Sequence, residues 1–199
     1  MVHIDRIYTR SGDHGETSLG NGDRVSKLHP RIIAGGAIDE TNCAIGTAIA
    51  AGNIDELEEL LRSIQQLLFD IGADLCVPIP THEPDPLPVR TNNSQVAQLE
   101  ALIDRFTARL QPLRSFILPG GTAAAASLHL ARAICRRAEL DVLKLQATEP
   151  INPMIVIALN RLSDLLFVLA RIANQDGRLD VLWSPGRGLK AGDAQPGSV

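Results

Sequence analysis

Ionisable side chains recur at helical spacing in the second half of the chain. Four of them are separated by 3, 4 and 3 residues and share one stripe of a helix: His129, Arg132, Arg136 and Glu139. Two arginines four residues apart on a helix repel each other by about a few tenths of a kcal/mol. Because an anion between or beyond them would relieve that repulsion, one interpretation of the stripe is an anion-binding face. The alternative is a solvated face on which Glu139 is an ordinary ion-pair partner.

The N-terminal segment, residues 9–27, is rich in glycine, hydroxyl and charged side chains. Glycines let backbone N–H groups converge on an anion, hydroxyls add hydrogen-bond donors, and Arg10 and Lys27 add positive charge. The segment is not a P-loop, because Asn21 and Gly22 stand where that motif needs Lys and Ser or Thr. The composition favours an anion-binding loop, and the alternative is a turn-rich N-terminus that binds nothing.

Two further predicted helices carry polar stripes on otherwise apolar surfaces. The stripes consist of Asp39, Asn42 and Gly46 on the first helix and of Asn160, Asp164, Phe167 and Arg171 on the last. Because buried polar side chains need partners, each stripe faces either another helix or a ligand. For Asp39, an ion pair with an arginine, between helices or between subunits, is the structural explanation.

Metal-binding and nucleophilic arrangements are not evident in the sequence. The five histidines are scattered, and the Glu-x-x-His pairs that a metal site in a helical bundle needs are absent. No Ser-His-Asp arrangement follows from the spacing. The sequence therefore predicts no metal ligands.

Five apolar stretches with three- and four-residue spacing predict five helices. They are expected from Pro30 to about Ala51, from Leu57 to about Cys76, over residues 96–110, over about 122–148, and over residues 155–173. The sequence Pro-Gly-Gly at 119–121 excludes helix before the fourth, which Gly121 or Thr122 then caps. Since no stretch alternates convincingly as a strand does, the predicted fold class is an all-α five-helix bundle.

The segments outside the helices are predicted to lack regular structure. Residues 1–28 form an irregular N-terminal loop with at most a short extended piece at 4–9, and residues 77–91 form a proline-rich exposed loop. One domain is expected over residues 1–190, followed by a disordered tail at 191–199.

Composition narrows the range of partners and compartments. The net charge is −4 at pH 7 and no basic block is present, so no nucleic-acid partner is predicted. Charged residues interrupt both the start of the chain and the apolar segment 151–173, so neither a signal peptide nor a membrane span is expected. Three cysteines without paired spacing predict buried free thiols and a cytoplasmic location: Cys43, Cys76 and Cys135.

Five motifs, taken together and in order, resemble the PduO-type ATP:cob(I)alamin adenosyltransferases. They are Thr-Arg-Ser-Gly-Asp-His-Gly at 9–15, Gly-Ala-Ile-Asp-Glu-Thr-Asn at 36–42, Phe-Ile-Leu-Pro-Gly-Gly at 116–121, Arg-Arg-Ala-Glu at 136–139 and Asn-Arg-Leu-Ser-Asp-Leu-Leu-Phe at 160–167. Residues 181–186, Val-Leu-Trp-Ser-Pro-Gly, are also similar to the family's C-terminal end. The resemblance covers roughly residues 6–188 and implies a five-helix bundle that assembles as a homotrimer with active sites between subunits.

The resemblance implies the transfer of the 5′-deoxyadenosyl group from ATP to cobalt. Cobalt(I) of a reduced corrinoid attacks the 5′ carbon of ATP, and triphosphate leaves with Mg²⁺. The protein positions the substrates and stabilises the charge of the leaving group, without covalent catalysis.

The resemblance also implies roles for particular residues. Those expected to wrap the triphosphate are Thr9, Arg10, Ser11, Gly12, Thr17, Ser18 and Lys27. Those expected to hold phosphates and nucleoside from the helical side are Arg136, Arg137, Glu139 and Asn160. Asp39 and Arg132 are expected to form an ion pair between subunits. Phe116 and Phe167 are expected to line the corrin side and exclude the lower axial base, which makes the cobalt easier to reduce.

Three positions depart from the family pattern. Leu140 stands where the family often has a further arginine, which is expected to affect the affinity for the ligand more than the type of reaction. Ser11 and His14 replace the usual Thr and Lys of the first loop. Ser11 keeps the hydroxyl, whereas a histidine is mostly neutral at pH 7.

Two other classes of protein fit the same motifs. One is an ATP-dependent carrier that delivers adenosylcobalamin to a mutase, and the other is a helical bundle without activity. An enzyme of this family would also depend on a cobalamin reductase as a source of cobalt(I) and on a B12-dependent mutase as a consumer of the product.

Overall fold

The computed structural model describes residues 7–79 and 88–188 of the 199-residue chain. Most of the extended piece expected at 4–9, the middle of the proline-rich loop and the tail at 191–199 lie outside the described residues. Among those described, no helix is both long and apolar enough to cross a membrane.

Five helices make up the described architecture, which confirms the predicted all-α bundle. They are α1 (Pro30–Ala50), α2 (Asp55–Cys76), α3 (Asn93–Thr107), α4 (Ala123–Gln146) and α5 (Met154–Ala173). Local sequence explains the starts of α3 and α4. Asn92 and Gln95 form a reciprocal capping box before α3. Thr122 Oγ1 accepts a hydrogen bond from the backbone N–H of Ala125 at 3.1 Å, which confirms the predicted cap of α4.

Helix α4 lies at the centre of the bundle, in contact with α1 and α5, while α2 packs on α1 and α3 packs on α5. Its apolar stripe is completely buried, as the spacing predicts: Leu128, Ala131, Cys135, Ala138, Val142 and Leu145. Burying one leucine side chain stabilises a fold by about 1.5–3 kcal/mol, so this face and the matching face of α5 hold the helices in register. The polar stripes of α4 and α5 are thereby placed at fixed positions around the core.

The prediction that the N-terminal segment is irregular was wrong. Strands β1 (Glu16–Ser18) and β2 (Arg24–Ser26) pair as an antiparallel hairpin. A second small pair joins β3 (Ile117–Leu118) to β4 (Val181–Leu182), also antiparallel. Strands of two or three residues are too short to show the alternation by which a strand is recognised in sequence.

Two smaller expectations also need correction. Cys135 is buried, but Cys43 and Cys76 are exposed, because Cys43 lies on the outer face of α1 and Cys76 at the end of α2. The last residue of the proline-rich loop, Thr91, is not exposed either. Thr91 is buried, and its backbone N–H donates to the buried carboxylate of Asp74, which also forms an ion pair with Arg90 at 2.6 Å.

Candidate active site

The N-terminal loop brings together residues that were expected to bind an anion. Thr9 Oγ1 and Ser11 Oγ lie 2.7 Å apart. A Cβ on Gly12 would stand 3.0 Å from Lys27 Nζ, so the lysine ammonium lies directly against the glycine backbone. Arg10 has a φ of 61°, in the left-handed region that few non-glycine residues adopt. Two hydroxyls and an ammonium thus share a short strained loop, and their chemistry suits an oxyanion.

Arg24 of β2 braces this loop. Its guanidinium donates from Nη2 to the carbonyl of Ser11 at 2.8 Å and from Nη1 to Ser18 Oγ at 3.4 Å. It also lies 3.6 Å from the carboxylate of Glu16. Thr17 lies between Glu16 and Ser18 on β1 and is half-buried. Sequence reasoning assigned Arg24 no role, because its partners across the hairpin become apparent only once the strands pair.

The hairpin is attached to the C-terminal end of α2. The N–H of Gly20 donates to the carbonyl of Cys76 at 2.9 Å, and Leu19 is buried beside it. A Cβ on Gly20 would stand 2.7 Å from Val77 Cγ2, so a larger residue does not fit this approach. A cavity of about 480 Å³ opens next to this contact, between α1 and α2, and Asp39 lines it.

Helices α4 and α5 bring two expected site residues together. Asn160 Nδ2 donates to Glu139 Oε1 at 3.1 Å, and Asn160 Oδ1 accepts from Arg161 Nη1 at 2.7 Å. Asn160 of the polar stripe on α5 therefore faces the neighbouring helix α4. The spacing had left open whether this stripe faces a helix or a ligand. The carboxylate of Glu139 is half-buried and held in place by this amide.

The two arginines before Glu139 differ in their surroundings. Arg137 forms an ion pair with Glu40 of α1, and this hydrogen-bonded partner raises the pKa of Arg137. Arg136 is exposed and has no ion-pair partner within residues 7–79 and 88–188. A free guanidinium on a stripe with Arg132 remains available to an anionic ligand.

Asp39 and Arg132 do not form an ion pair with each other within the described chain. Asp39 is exposed on α1, where it lines the cavity between α1 and α2. Arg132 is half-buried on α4 and lines a different cavity. The ion pair between subunits therefore stays a prediction.

That second cavity, of about 910 Å³, is lined by three of the expected site residues: Phe116, Arg132 and Phe167. Phe116 is 79% exposed although it is a large apolar residue, and its ring lies 6.2 Å from that of Trp183, centroid to centroid. The backbone N–H of Trp183 donates to the carbonyl of Phe116 at 2.7 Å, next to the β3–β4 pair. Exposed aromatic rings around an open cavity are typical of a site for a large flat ligand.

A polar clamp fixes the two segments that carry Phe116 and Trp183. Asn174, at the end of α5, donates to the carbonyl of Gly120 at 3.1 Å and to the carboxylate of Asp180 at 3.0 Å. Asp180 in turn accepts from Arg171 Nε at 2.8 Å, and Arg171 Nη2 donates to the carbonyl of Gln111 at 3.0 Å. Arg171 of the α5 stripe thus holds the loops that frame the cavity.

His129 and Trp183 also line this second cavity, which is called the aromatic cavity below. The sequence assigned neither residue a role of its own. His129 is almost completely buried, and its ring lies 6.0 Å from that of Phe167. Burial, together with the charge of nearby Arg132, lowers the pKa of His129 below its ordinary value of 6.5. The signal for His129 was its position on the stripe of α4, and for Trp183 its place in the C-terminal motif.

The described residues contain no group of three or more His, Cys, Asp or Glu side chains that could hold a metal ion. The arrangement instead offers hydroxyls and cations around the N-terminal loop, a free arginine on α4 and an aromatic cavity. These features suit the binding of a polyphosphate and of a large apolar partner.

Comparisons with known proteins assign the chain to a family. The sequence model of the cobalamin adenosyltransferases matches residues 7–173. The chain is 47% identical over 188 residues to the corrinoid adenosyltransferase of Mycobacterium tuberculosis, which covers 93% of this chain and 96% of that protein. It is 43% identical over 170 residues to the corrinoid adenosyltransferase PduO of Salmonella typhimurium, covering 85% of this chain and 50% of that protein.

A solved structure gives the same result. A variant of a PduO-type ATP:corrinoid adenosyltransferase from Lactobacillus reuteri, complexed with cobalamin and ATP, matches with a TM-score of 0.82 at 38% sequence identity. The match covers 89% of this chain and 99% of that one. The chain therefore belongs to the cobalamin adenosyltransferase family, in its PduO-type branch.

Proposed function

We propose that this protein transfers the 5′-deoxyadenosyl group of ATP to the cobalt(I) of a reduced corrinoid. The cobalt–carbon bond forms as the bond between the 5′ carbon and the triphosphate oxygen breaks, and triphosphate leaves with the bonding electrons. The observation that carries this proposal is the aromatic cavity of about 910 Å³ in a member of this family, lined by the Phe116 and Phe167 rings that the motifs single out.

The N-terminal loop binds the triphosphate in this proposal. Its donors are the hydroxyls, guanidinium, ammonium and backbone of Thr9, Arg10, Ser11, Gly12, Thr17, Ser18 and Lys27. The contact between Lys27 Nζ and the backbone of Gly12 supports it, since both then face the same group of oxygens. Mg²⁺ accompanies the triphosphate and is held mainly by phosphate oxygens and water, as is common for this ion in nucleotide sites.

Helix α4 contributes the second set of nucleotide contacts. Arg136 stabilises the negative charge that develops on the leaving triphosphate, since its guanidinium has no ion-pair partner among the residues that the structure describes. Arg137, Glu139 and Asn160 hold phosphates and nucleoside. The hydrogen bond between Glu139 and Asn160 supports this assignment, because it orients both side chains before the nucleotide arrives.

The aromatic cavity binds the corrinoid. Phe116 and Phe167 occupy the space that a lower axial base would need, so the cobalt stays four-coordinate and easier to reduce. The exposure of Phe116 supports this role, because an apolar ring open to solvent gains most when a ligand covers it.

The active form is a homotrimer in this proposal, with Asp39 of one subunit paired to Arg132 of the next. The absence of an ion pair for either residue within the described chain supports it. Exchanging the two charges tests the assembly. Asp39→Arg and Arg132→Asp should each reduce the trimer fraction in sedimentation velocity, and the double variant should recover it. If both single variants and the double variant sediment as the native protein does, the ion pair between subunits is contradicted.

A reductase that delivers cobalt(I) and a B12-dependent mutase that uses the product are the proposed partners. The proposed location is the cytoplasm, and the three free cysteines, two of them exposed, support a reducing compartment.

The activity is tested by following the absorbance of chemically reduced cob(I)alamin with Mg-ATP. The native protein should convert it to adenosylcobalamin. Arg136→Ala should lose about 10- to 100-fold in kcat/KM, since a hydrogen bond to a charged group contributes about 1.5–3 kcal/mol. Arg62→Ala is the matched control, because Arg62 is an exposed helical arginine whose one ion pair in the described part of the chain is with Glu58 of its own helix.

The same experiment separates the alternatives. A carrier of adenosylcobalamin would bind ATP tightly without releasing free product over many cycles. A bundle without activity would neither convert the corrinoid nor be stabilised by ATP, although a ligand at 100 times its Kd should add about 2.7 kcal/mol.

A further inference from the structure

Two buried polar groups beside the aromatic cavity have no hydrogen-bond partner among residues 7–79 and 88–188. Both ring nitrogens of His129 and the Nε of Arg132 are shielded and unpaired. His129 as a whole is only 3% exposed. Leaving such groups unpaired destabilises a folded protein, so a position of this kind needs a specific explanation.

Both side chains border the cavity, so a ligand bound there could supply the missing partner. His129 and Arg132 are three residues apart on α4, hence on the same side of the helix, and both line the cavity. The ring of Phe167 lies 6.0 Å from that of His129 on the α5 side. The remaining wall is formed by residues 113–117, 119 and 183–185, among which Arg114, Ser115 and Ser184 are polar.

The protonation state of His129 defines what the partner must offer. Burial and the charge of Arg132 lower the pKa of His129, whereas Asp180 opposes this and is already bound by Arg171 and Asn174. A neutral imidazole presents one N–H donor and one acceptor nitrogen, and the Nε of Arg132 presents a further donor. The partner must therefore both donate and accept.

Among small organic groups, the primary carboxamide has this combination. Its carbonyl accepts from the Nε of Arg132, and its NH₂ donates to the bare nitrogen of His129. A carboxylate could accept from the Nε of Arg132 but has no proton for the bare nitrogen of His129. The carboxamide meets both of these atoms and leaves the imidazole N–H of His129 without a partner. Corrinoid rings carry primary acetamide and propionamide side chains at their edge.

We propose that His129 and the Nε of Arg132 form a subsite for one peripheral carboxamide of the corrinoid, an inference that rests on the proposed function. The carboxamide fixes the rotation of the ring in the cavity, and the cobalt is thereby aligned with the 5′ carbon of ATP. The two Nη atoms of Arg132 stay available for Asp39 of a neighbouring subunit. His129 acts as a binding and specificity residue and exchanges no proton with the substrate.

Binding can be measured without turnover, because Trp183 is the only tryptophan and lines the cavity. Cobinamide, a corrinoid with intact ring amides, should quench its fluorescence. His129→Phe keeps the ring shape but removes both polar atoms, and it should weaken cobinamide binding about five- to tenfold. His129→Gln restores a donor and an acceptor and should recover most of the affinity. Lys144→Ala, further along α4, should bind as the native protein does.

Activity with ATP then separates binding from other effects. His129→Phe should raise KM for the corrinoid and leave KM for ATP unchanged, with circular dichroism as the check on folding. Equal affinity of the native protein and His129→Phe would overturn the subsite and leave a buried water as the only partner of His129. Equal weakening in the Phe and Gln variants would also overturn it, because the role would then be one of shape.

The outcomes also distinguish this inference from the proposed function. If cobinamide quenches the fluorescence in a way that depends on His129 but no adenosyl group is transferred from ATP, the proposed transferase activity is contradicted and the carboxamide subsite is supported. If His129→Phe transfers the adenosyl group with the native KM for the corrinoid, the transferase activity is supported and the subsite is contradicted.

Discussion

Asn174 occupies the space beside Gly121. Its Oδ1 lies 2.0 Å from the point at which a Cβ on residue 121 would stand, and Gly121 has a φ of +102°. The same oxygen accepts from the backbone N–H of Thr122 at 3.0 Å, at the start of α4. The end of α5, the start of α4 and the loop that carries Phe116 are therefore joined at one contact that only glycine permits.

Gly121→Ala should destabilise the protein by about 2 kcal/mol or more, since it combines a left-handed backbone with a clash against Asn174. In a protein of this size, the midpoint of thermal unfolding should fall by about 5 °C. Gly120→Ala is the matched control, because a Cβ there meets no atom within 4 Å and its φ is not in the left-handed region. Equal midpoints for the two variants would show that the Asn174 contact is unimportant.

Gly12→Ala should weaken nucleotide binding selectively. A Cβ at residue 12 would stand 3.0 Å from Lys27 Nζ, and the flexible lysine would move away from the loop. We expect KM for ATP to rise several-fold while quenching of Trp183 by cobinamide stays native. Gly188→Ala, in open space, serves as the control. The assignment of Lys27 to the triphosphate fails if Gly12→Ala leaves KM for ATP unchanged.

The lowered pKa of His129 should make stability depend on pH. The unfolded chain takes up a proton at this residue near pH 6.5, whereas the folded protein keeps the imidazole neutral to lower pH. The stability contribution is therefore complete above pH 6.5 and is lost as pH falls towards the folded pKa. Urea unfolding of the native protein should weaken more between pH 7 and pH 5 than that of His129→Phe. Parallel curves would mean that His129 titrates normally.

The cysteines should differ sharply in reactivity. Burial raises the pKa of Cys135 to about 12, and its Sγ contacts the carbonyl of Leu159 at 3.4 Å. A thiol that is neither ionised nor accessible does not react with a disulfide reagent. The double variant Cys43→Ser, Cys76→Ser should therefore give no labelling until it is unfolded in guanidinium. Rapid labelling of the folded variant would contradict the burial of Cys135.

Much of the fold was determined by the sequence alone, because each helix carries its own signals. Apolar residues at three- and four-residue spacing identified all five helices and the buried face of α4, from Leu128 to Leu145. Thr122 was recognisable as a cap from its place after Pro-Gly-Gly. The motifs identified the family as well, since they depend on residue types at local spacing.

Tertiary structure decided which of these faces meet. Spacing places Glu139 and Asn160 on polar stripes of their own helices, but only the packed bundle shows that they bond to each other. The hairpin at residues 16–26 and the meeting of Phe116 with Trp183 depend on backbone pairs too short to leave a pattern. The unpaired ring nitrogens of His129 likewise became apparent only in the packed structure. Periodicity shows which side chains share a helix face, but it does not show whether a hydrogen-bond partner lies opposite them. Contacts between residues far apart in sequence depend on how whole helices pack against each other. The local spacing of residues identifies a helix face, but it does not show which residue of another helix that face will contact.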